Sequence, residues 1–213
     1  MQSCVTNYVV ADASTYTKQY KTDAKPSQNN SDELKRDLIN SFVASGKTKI
    51  SNIDNSLKLA EASFKARKNQ TINSILTEAE TYLGTPYRMG GMTRSGIDCS
   101  AFVLSVFGAA TGMSLPRVAA SQAGEGERVQ KENLQKGDLV FFSQGRGRIS
   151  HVGIVYDVTE EGEVKFIHSA TSKGVSIASL EDSYWGPKYR FAQRVLNDDF
   201  YASADQLTAN KVN

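Results

Sequence analysis

Five short apolar runs fill residues 137–196, and they constrain the fold more than any other part of the sequence. The runs are separated by turns rich in Gly, Asp and Ser, and they read GDLVFF, HVGIVYDV, EVKFIHSA, GVSIASL and YRFAQRVL. Runs of this length, rich in β-branched and aromatic residues and bounded by turn residues, are typical of β-strands. Helical patterns precede the runs and do not alternate with them. This order predicts an α+β domain whose sheet is mostly antiparallel.

The first part of the chain divides into a polar arm and a helical region. Residues 1–30 have few large apolar side chains after Val10 and are rich in Lys, Ser, Asn and Thr, which is typical of a tether. Ser31 is a candidate N-cap for a helical extension over 31–70, and a further helix over about 71–83 stops at Gly84. We therefore predict a core domain at 71–196 and a polar tail at 197–213.

Charge and hydropathy exclude several classes of protein. The net charge is only +2, from 25 Lys and Arg against 23 Asp and Glu, and no dense basic block is present, so we expect no nucleic-acid partner. No apolar run approaches the roughly 20 residues that a membrane-spanning helix needs. The chain begins without the basic and apolar segments of a signal peptide. Two cysteines allow at most one disulfide, unlike the dense frameworks of small secreted domains.

Cys99 lies at the start of a strong helical pattern. In DCSAFVLSVFGAATG, apolar residues recur at helical spacing after the cysteine, while Asp98 is suited to cap the helix and Gly112 to end it. Unpaired N–H groups and the positive end of the helix dipole favour a thiolate in the first turn, and they can stabilise an oxyanion. Cys99 is therefore a candidate nucleophile, although a lone cysteine is more often a buried structural residue.

A nucleophilic cysteine needs a base, which is usually a histidine oriented by a third polar group. The chain has two histidines, His151 at the start of one predicted strand and His168 near the end of the next. Adjacent strands can bring both imidazoles to the cysteine helix. Tyr87 precedes a glycine pair, which permits close backbone approach, so its hydroxyl is a candidate oxyanion donor. A zinc site of Cys99 and both histidines is disfavoured, because a CxxC or HxxxH motif is missing.

Several motifs occur together in the order that is typical of one family. They are GTPYRMGG, SGIDCSAFV, LPR, LQKGDLVFF, ISHVGIVYD, FIHSATSKGVSIASL and YWGPKYRFAQRVL. Over residues 71–196 the chain resembles the NlpC-type family of papain-like peptidoglycan peptidases, and within it the Spr (MepS) branch of murein endopeptidases. The resemblance implies a papain-like fold in which a cysteine-bearing helix packs on the sheet.

The resemblance also implies a role for each site residue. Cys99 would be the nucleophile, His151 the base, and His168 the residue that orients His151. The positions that the resemblance places at the oxyanion or the substrate are Tyr87, Asp98, Ser100 and Ser150. The reaction would pass through a thioester acyl-enzyme that water hydrolyses. We expect no metal, no cofactor and a monomer.

The substrate implied by the resemblance is the stem peptide of bacterial peptidoglycan. Two bonds fit, and the Spr likeness favours the D-alanyl–diaminopimelate cross-link over the γ-D-glutamyl–diamino-acid bond. An acyltransferase and a wall-binding module without activity are less favoured alternatives. The module is disfavoured because all three catalytic roles are filled.

Cys4 has a separate interpretation. A small residue before a cysteine at the start of a polar arm is typical of the end of a bacterial lipoprotein signal, so Cys4 is a lipidation candidate, with an incidental terminal cysteine as the alternative. Acyl chains on Cys4 would anchor the protein to a membrane, and the arm would let the catalytic domain reach the wall. We expect a location in the cell envelope, either periplasmic or attached to the outer membrane.

Overall fold

The structure is a computed structural model that describes residues 28–201 apart from 146 and 199; only the backbone is described for 28–32, 34 and 45–52. Contacts divide the chain into two units, with the boundary between Leu59 and Ala60. No helix within this described part is long and apolar enough to span a membrane. Cys4 and the polar arm before residue 28 lie outside it.

Helix α1 runs from Gln28 to Glu80. The prediction of a separate helix over 71–83 was therefore wrong. The only Gly or Pro within α1 is Gly46, and one glycine costs a helix about 1 kcal/mol without ending it. The helix stops before Gly84, which has a φ of 80°, as expected. Within the second unit, Ile75 and Ala79 of α1 are fully buried in the core.

The sheet contains the five predicted strands and one that the sequence did not predict. Strands β4 (Leu139–Phe142), β5 (His151–Val158), β6 (Val164–Ala170), β7 (Gly174–Ser179) and β8 (Tyr189–Arg194) match the five apolar runs. Strand β3 (Glu127–Val129) pairs with β8, and the sheet order is β3-β8-β4-β5-β6-β7. Every pairing in it is antiparallel, which confirms the predicted α+β class.

Two short helices and a small hairpin precede the sheet. The hairpin pairs β1 (Met92–Thr93) with β2 (Gly96–Ile97), and helix α2 (Cys99–Thr111) follows immediately. Helix α3 spans Ala119–Gln122. Strands of two or three residues are too short to show a period, which explains why β1, β2 and β3 escaped the sequence pattern.

The core lies on both faces of the sheet. Helix α2 buries Phe102, Val103, Val106 and Phe107 in a cluster with Val152, Ile154 and Ile167 of the sheet. A second cluster on the other face contains Phe142, Val155 and Phe166. The alternation of side chains along each strand produces this division. The N-terminus of α2 is thereby held against β5 and β6, the strands that carry the histidines.

The folded unit extends beyond Leu196. Tyr201 is only 2% exposed and belongs to the same core cluster as α2. Its ring packs edge-on against Phe64, with centroids 5.5 Å apart. The beginning of the segment that the sequence analysis assigned to a polar tail therefore contributes to the core, and residues 202–213 lie outside the described part.

A glycine fixes the turn between β6 and β7 against the segment that leads to Tyr87. Gly174 has a φ of 66°, and a Cβ at this position would overlap the Thr85 carbonyl oxygen. The Val175 N–H donates to that oxygen at 2.9 Å, and the Gly84 N–H donates to the Val175 carbonyl at 2.9 Å. The turn and the tyrosine segment therefore hold each other in place.

Candidate active site

Cys99 is the first residue of α2, and the caps predicted from the sequence are confirmed. The Asp98 carboxylate accepts the Ala101 N–H at 2.8 Å, and Gly112 ends the helix with a φ of 74°. Cys99 is 7% exposed. The burial of the apolar face behind it holds the thiol at the positive end of the helix.

Asp98 does more than cap α2, because it forms an ion pair with Arg117. One guanidinium nitrogen lies 2.6 Å from Asp98 Oδ2, and the other lies 3.0 Å from Oδ1 and 3.1 Å from Ser100 Oγ. The Gly90 N–H also donates to Oδ2 at 3.1 Å. Arg117 holds the pKa of Asp98 below its ordinary value against the opposing effect of burial. The LPR motif contains Arg117, yet the sequence alone assigned it no role.

The two histidines meet directly. His151 Nε2 lies 2.9 Å from His168 Nδ1, and the rings are nearly perpendicular. If His151 donates its Nε2 proton, His168 accepts with Nδ1 and the lone pair on His151 Nδ1 is free to act as a base. This geometry supports the predicted role of His168 as the residue that orients His151.

A tryptophan, which sequence reasoning did not assign to the site, covers both imidazoles. The Trp185 ring stacks on His151 with an interplanar angle of 24° and centroids 5.0 Å apart. It meets His168 edge-on at 4.6 Å. Phe142 and Phe166 complete this aromatic cluster. Trp185 is the only tryptophan in the chain, and its place in the YWGPKY motif was the available signal.

Burial keeps both histidines neutral. It lowers the pKa of His151 from 6.5 to about 4. Burial and the neighbouring His151 lower the pKa of His168 to about 3. A neutral His168 can accept a hydrogen bond, whereas an imidazolium has only donors. The orientation of His151 is therefore maintained over the whole neutral range of pH.

The Cys99 thiol is also neutral at rest. This state differs from the sequence-based expectation, because a position at the start of a helix favours the thiolate. Burial raises the pKa of Cys99, and the Asp98 carboxylate raises it further. The backbone N–H groups of Val152, Ser100 and Cys99 itself act in the opposite direction. Since Val152 follows His151, the sulfur lies beside the start of β5. The site thus brings a neutral thiol and a neutral base together, and its protons must move during the reaction.

The remaining predicted residues border the thiol or an adjoining cleft. Burial raises the pKa of the Tyr87 phenol, and Cys99 and Asp98 raise it further, which places the hydroxyl near both groups. Tyr87, Ser150, His151 and Trp185 line a cleft of about 260 Å³. In the described residues no hydrogen bond joins the thiol to either imidazole, and no three His, Cys, Asp or Glu side chains form a metal-ligand cluster.

Replacing Arg117 by methionine tests its contribution to this site. Without the guanidinium, the Asp98 carboxylate, whose side chain is 12% exposed, keeps its charge beside Cys99 and loses its main partner. We expect the free energy of unfolding to fall by about 1–2 kcal/mol in urea titrations, because Arg117 is itself partly exposed. The exposed pair of Lys136 with Asp157 provides a control. Lys136→Met should change stability by less than about 0.5 kcal/mol, and an equal loss in both variants would contradict a special role for Arg117.

Replacing Trp185 by leucine tests whether its ring keeps His151 neutral. The acidic limb of kcat/KM should lie near a pH of 4 in the wild type, because His151 must be unprotonated. Admitting water to the imidazole should move that limb towards 6.5, the ordinary histidine pKa. Tyr184→Leu is the matched control, since Tyr184 contacts Trp185 and is 53% exposed. Identical limbs in the wild type and the Trp185→Leu variant would refute the effect.

Comparisons with known proteins agree with the family that the motifs indicate. Residues 84–194 match the NlpC/P60 family. The probable endopeptidase NlpC homolog of Haemophilus influenzae is 42% identical over 115 residues, 54% of this chain and 58% of that protein. The murein DD-endopeptidase MepS/murein LD-carboxypeptidase of Escherichia coli strain K12 is 39% identical over 145 residues, 67% of this chain and 73% of that protein.

A solved structure shows the same fold. The crystal structure of an NlpC/P60 family protein from Bacillus cereus superposes with a TM-score of 0.53 and 32% identity, over 59% of this chain and 40% of that one. The residues that match the family model, 84–194, include the cysteine helix, both histidine strands and the rest of the antiparallel sheet. The chain therefore belongs to the NlpC/P60 family, as its motifs predict.

Proposed function

We propose that this protein is a cysteine endopeptidase that hydrolyses the stem peptides of peptidoglycan. The hydrogen bond between His151 Nε2 and His168 Nδ1, formed beside a cysteine at a helix start, carries this proposal. The named endopeptidase relatives, one of them a murein DD-endopeptidase, support the substrate class. An enzyme with this substrate works in the cell envelope.

The mechanism follows from the protonation states at rest. Neutral His151 accepts the Cys99 proton as the sulfur attacks the peptide carbonyl, and the resulting imidazolium gives that proton to the leaving amine. The C–N bond breaks and a thioester with Cys99 remains. Water then attacks the thioester with His151 as the base, which releases the acid and restores the thiol. His168 stabilises the transient imidazolium by accepting a hydrogen bond from the Nε2–H of His151 at its own Nδ1.

The oxyanion is stabilised at the start of α2. The backbone N–H groups that interact with the sulfur belong to this first turn and to β5, and amides of this kind suit the negative oxygen of a tetrahedral intermediate. The Tyr87 hydroxyl keeps its proton, because its pKa is raised, and so it can donate to the same oxygen. Asp98, Ser100 and Ser150 contact the substrate in this scheme.

The scissile bond is the D-alanyl–diaminopimelate cross-link in our proposal, and the γ-D-glutamyl–diamino-acid bond is the alternative. Mass spectrometry of a purified cross-linked dimer muropeptide after incubation with the protein separates the two. Cleavage of the cross-link yields two monomers with complete stems. Cleavage at the γ-D-glutamyl bond shortens a stem, and this product would overturn our choice of bond. A dimer that remains uncleaved at both bonds would refute the proposed function.

We further propose that Cys4 is lipidated, and that the polar arm after it and the predicted helical extension connect this anchor to the catalytic unit. The composition of the arm supports this arrangement, since a polar segment with few large apolar residues is suited to join an anchor to a domain that acts on a distant substrate. Mass spectrometry of the N-terminal peptide from membranes of cells that express the natural gene should show acyl chains on Cys4. An unmodified thiol there would contradict the anchor and leave the catalytic proposal intact.

A further inference from the structure

A second cavity adjoins the cleft and plays no part in the mechanism above. It has a volume of about 380 Å³, and we call it the side cavity. The two cavities share a wall of five residues, namely Ala170, Thr171, Ser172, Tyr184 and Trp185. His168 also lines the side cavity. The two cavities are therefore neighbours, and a ligand larger than the cleft could reach both.

The side cavity presents one positive and one negative group that do not neutralise each other. Lys173 and Asp182 both line it. No ion pair within 4.0 Å joins them or gives Lys173 another partner among the residues that the structure describes. Asp182 Oδ1 accepts the Tyr184 N–H at 2.6 Å, and Oδ2 has no such backbone donor in the described part. Lys173 and Asp182 are both exposed, so a ligand that carries both signs can reach them from solvent.

The backbone around both charged groups is fixed. Lys173 precedes Gly174, which is held against the Thr85 carbonyl. The Gly186 N–H donates to the Asp182 carbonyl at 2.9 Å, which closes the turn that also carries Trp185. Anchored turns lose little backbone freedom when a ligand binds, so the ordering cost falls mainly on the two side chains.

We propose that the side cavity is a binding subsite for an α-amino-acid zwitterion, with its carboxylate on Lys173 and its ammonium on Asp182. This inference rests on the proposed function, because the side chain of diaminopimelate ends in such a zwitterion in the stem that supplies the D-alanyl carbonyl. In the other stem of the cross-link the same side-chain amine is part of the scissile amide. A lysine side chain at the same place in a stem ends in an ammonium alone. Lys173 thus makes the protein select diaminopimelate over lysine, since a charge-assisted hydrogen bond forms with the extra carboxylate.

Binding to the Cys99→Ala protein tests this subsite without any cleavage. The probes are L-Ala-γ-D-Glu-meso-diaminopimelate and L-Ala-γ-D-Glu-L-Lys, which differ by one carboxylate. Affinities come from calorimetry, and the fluorescence of Trp185, the only tryptophan, reports occupancy of the cavity that it lines. We expect the diaminopimelate peptide to bind at least about tenfold more tightly. Adding Lys173→Gln should remove the difference by weakening that peptide alone.

Adding Lys136→Gln instead is the control for loss of a positive charge, because Lys136 pairs with Asp157 elsewhere on the surface. This variant should keep the full preference. Equal affinities for the two peptides, or a preference that survives Lys173→Gln, would overturn the subsite. These results do not depend on hydrolysis, so they are distinct from a failure of the wild type to cleave muropeptides.

Discussion

Replacing Cys99 by alanine should lower kcat/KM for muropeptide cleavage by at least about 10⁴-fold, because a covalent mechanism loses its nucleophile. Cys99 is buried at the start of α2 but forms no disulfide, and its side chain is close in size to alanine. The fold should therefore remain, with little change in the free energy of unfolding. The measurement is the initial rate of cleavage of a purified dimer muropeptide, monitored by chromatography.

The control for this variant is Cys99→Ser, which keeps a hydroxyl at the same place. We expect it to be almost as inactive as Cys99→Ala, because a serine hydroxyl is far less acidic than a thiol. Both proteins must show the thermal transition of the wild type. Activity in Cys99→Ala within a factor of about ten of the wild type would rule out the cysteine mechanism, whatever the products.

Replacing His151 by glutamine should lower kcat/KM at neutral pH by about 10³-fold, a value within the range for loss of a general base. The cause is the raised pKa of Cys99, which leaves very little thiolate unless a base removes its proton. In the variant only the thiolate reacts, so kcat/KM should rise about tenfold for each pH unit until the pKa of Cys99 is reached. The wild type should show no such rise above neutral pH.

The shape of the pH profile separates a base from a structural residue. If His151 served only to support the fold, His151→Gln would lose activity by a constant factor at every pH. A wild-type profile that also rises tenfold per pH unit would likewise contradict a neutral base at rest. His168→Gln provides the comparison, since glutamine can still accept from His151 Nε2. We expect it to retain considerably more activity than His151→Gln.

Much of the catalytic domain can be read from the sequence because its signals are local. The five sheet strands have apolar runs bounded by turn residues, and α2 has a polar cap at Asp98 and a glycine at its end. Because Cys99 and the two histidines differ chemically from their surroundings, they could be recognised individually. The α+β order and the family resemblance then indicated that the fold would bring them together.

Other features depend on contacts between residues that are far apart in the chain. Arg117 pairs with Asp98 across 19 positions, and Trp185 covers His151 from a loop after β7, so neither role has a local pattern. The neutral state of Cys99 is another such case. Its position at the helix start favours a thiolate, but burial and the Asp98 carboxylate outweigh that effect. The continuity of α1 was missed because the mostly polar stretch KARKNQT at 65–71 separates two apolar patterns and resembled a connection between two helices.

The mass of the acyl-enzyme tests the central claim most directly, because it reports the nucleophile and the scissile bond together. A reaction with excess dimer muropeptide is quenched in acid within its first turnovers, and the protein is digested and analysed by mass spectrometry. We predict an acyl group on the peptide that contains Cys99, with a mass equal to a stem that ends in the D-alanyl carbonyl. An acyl group on another residue, or an acyl group of a different mass on Cys99, would contradict the mechanism.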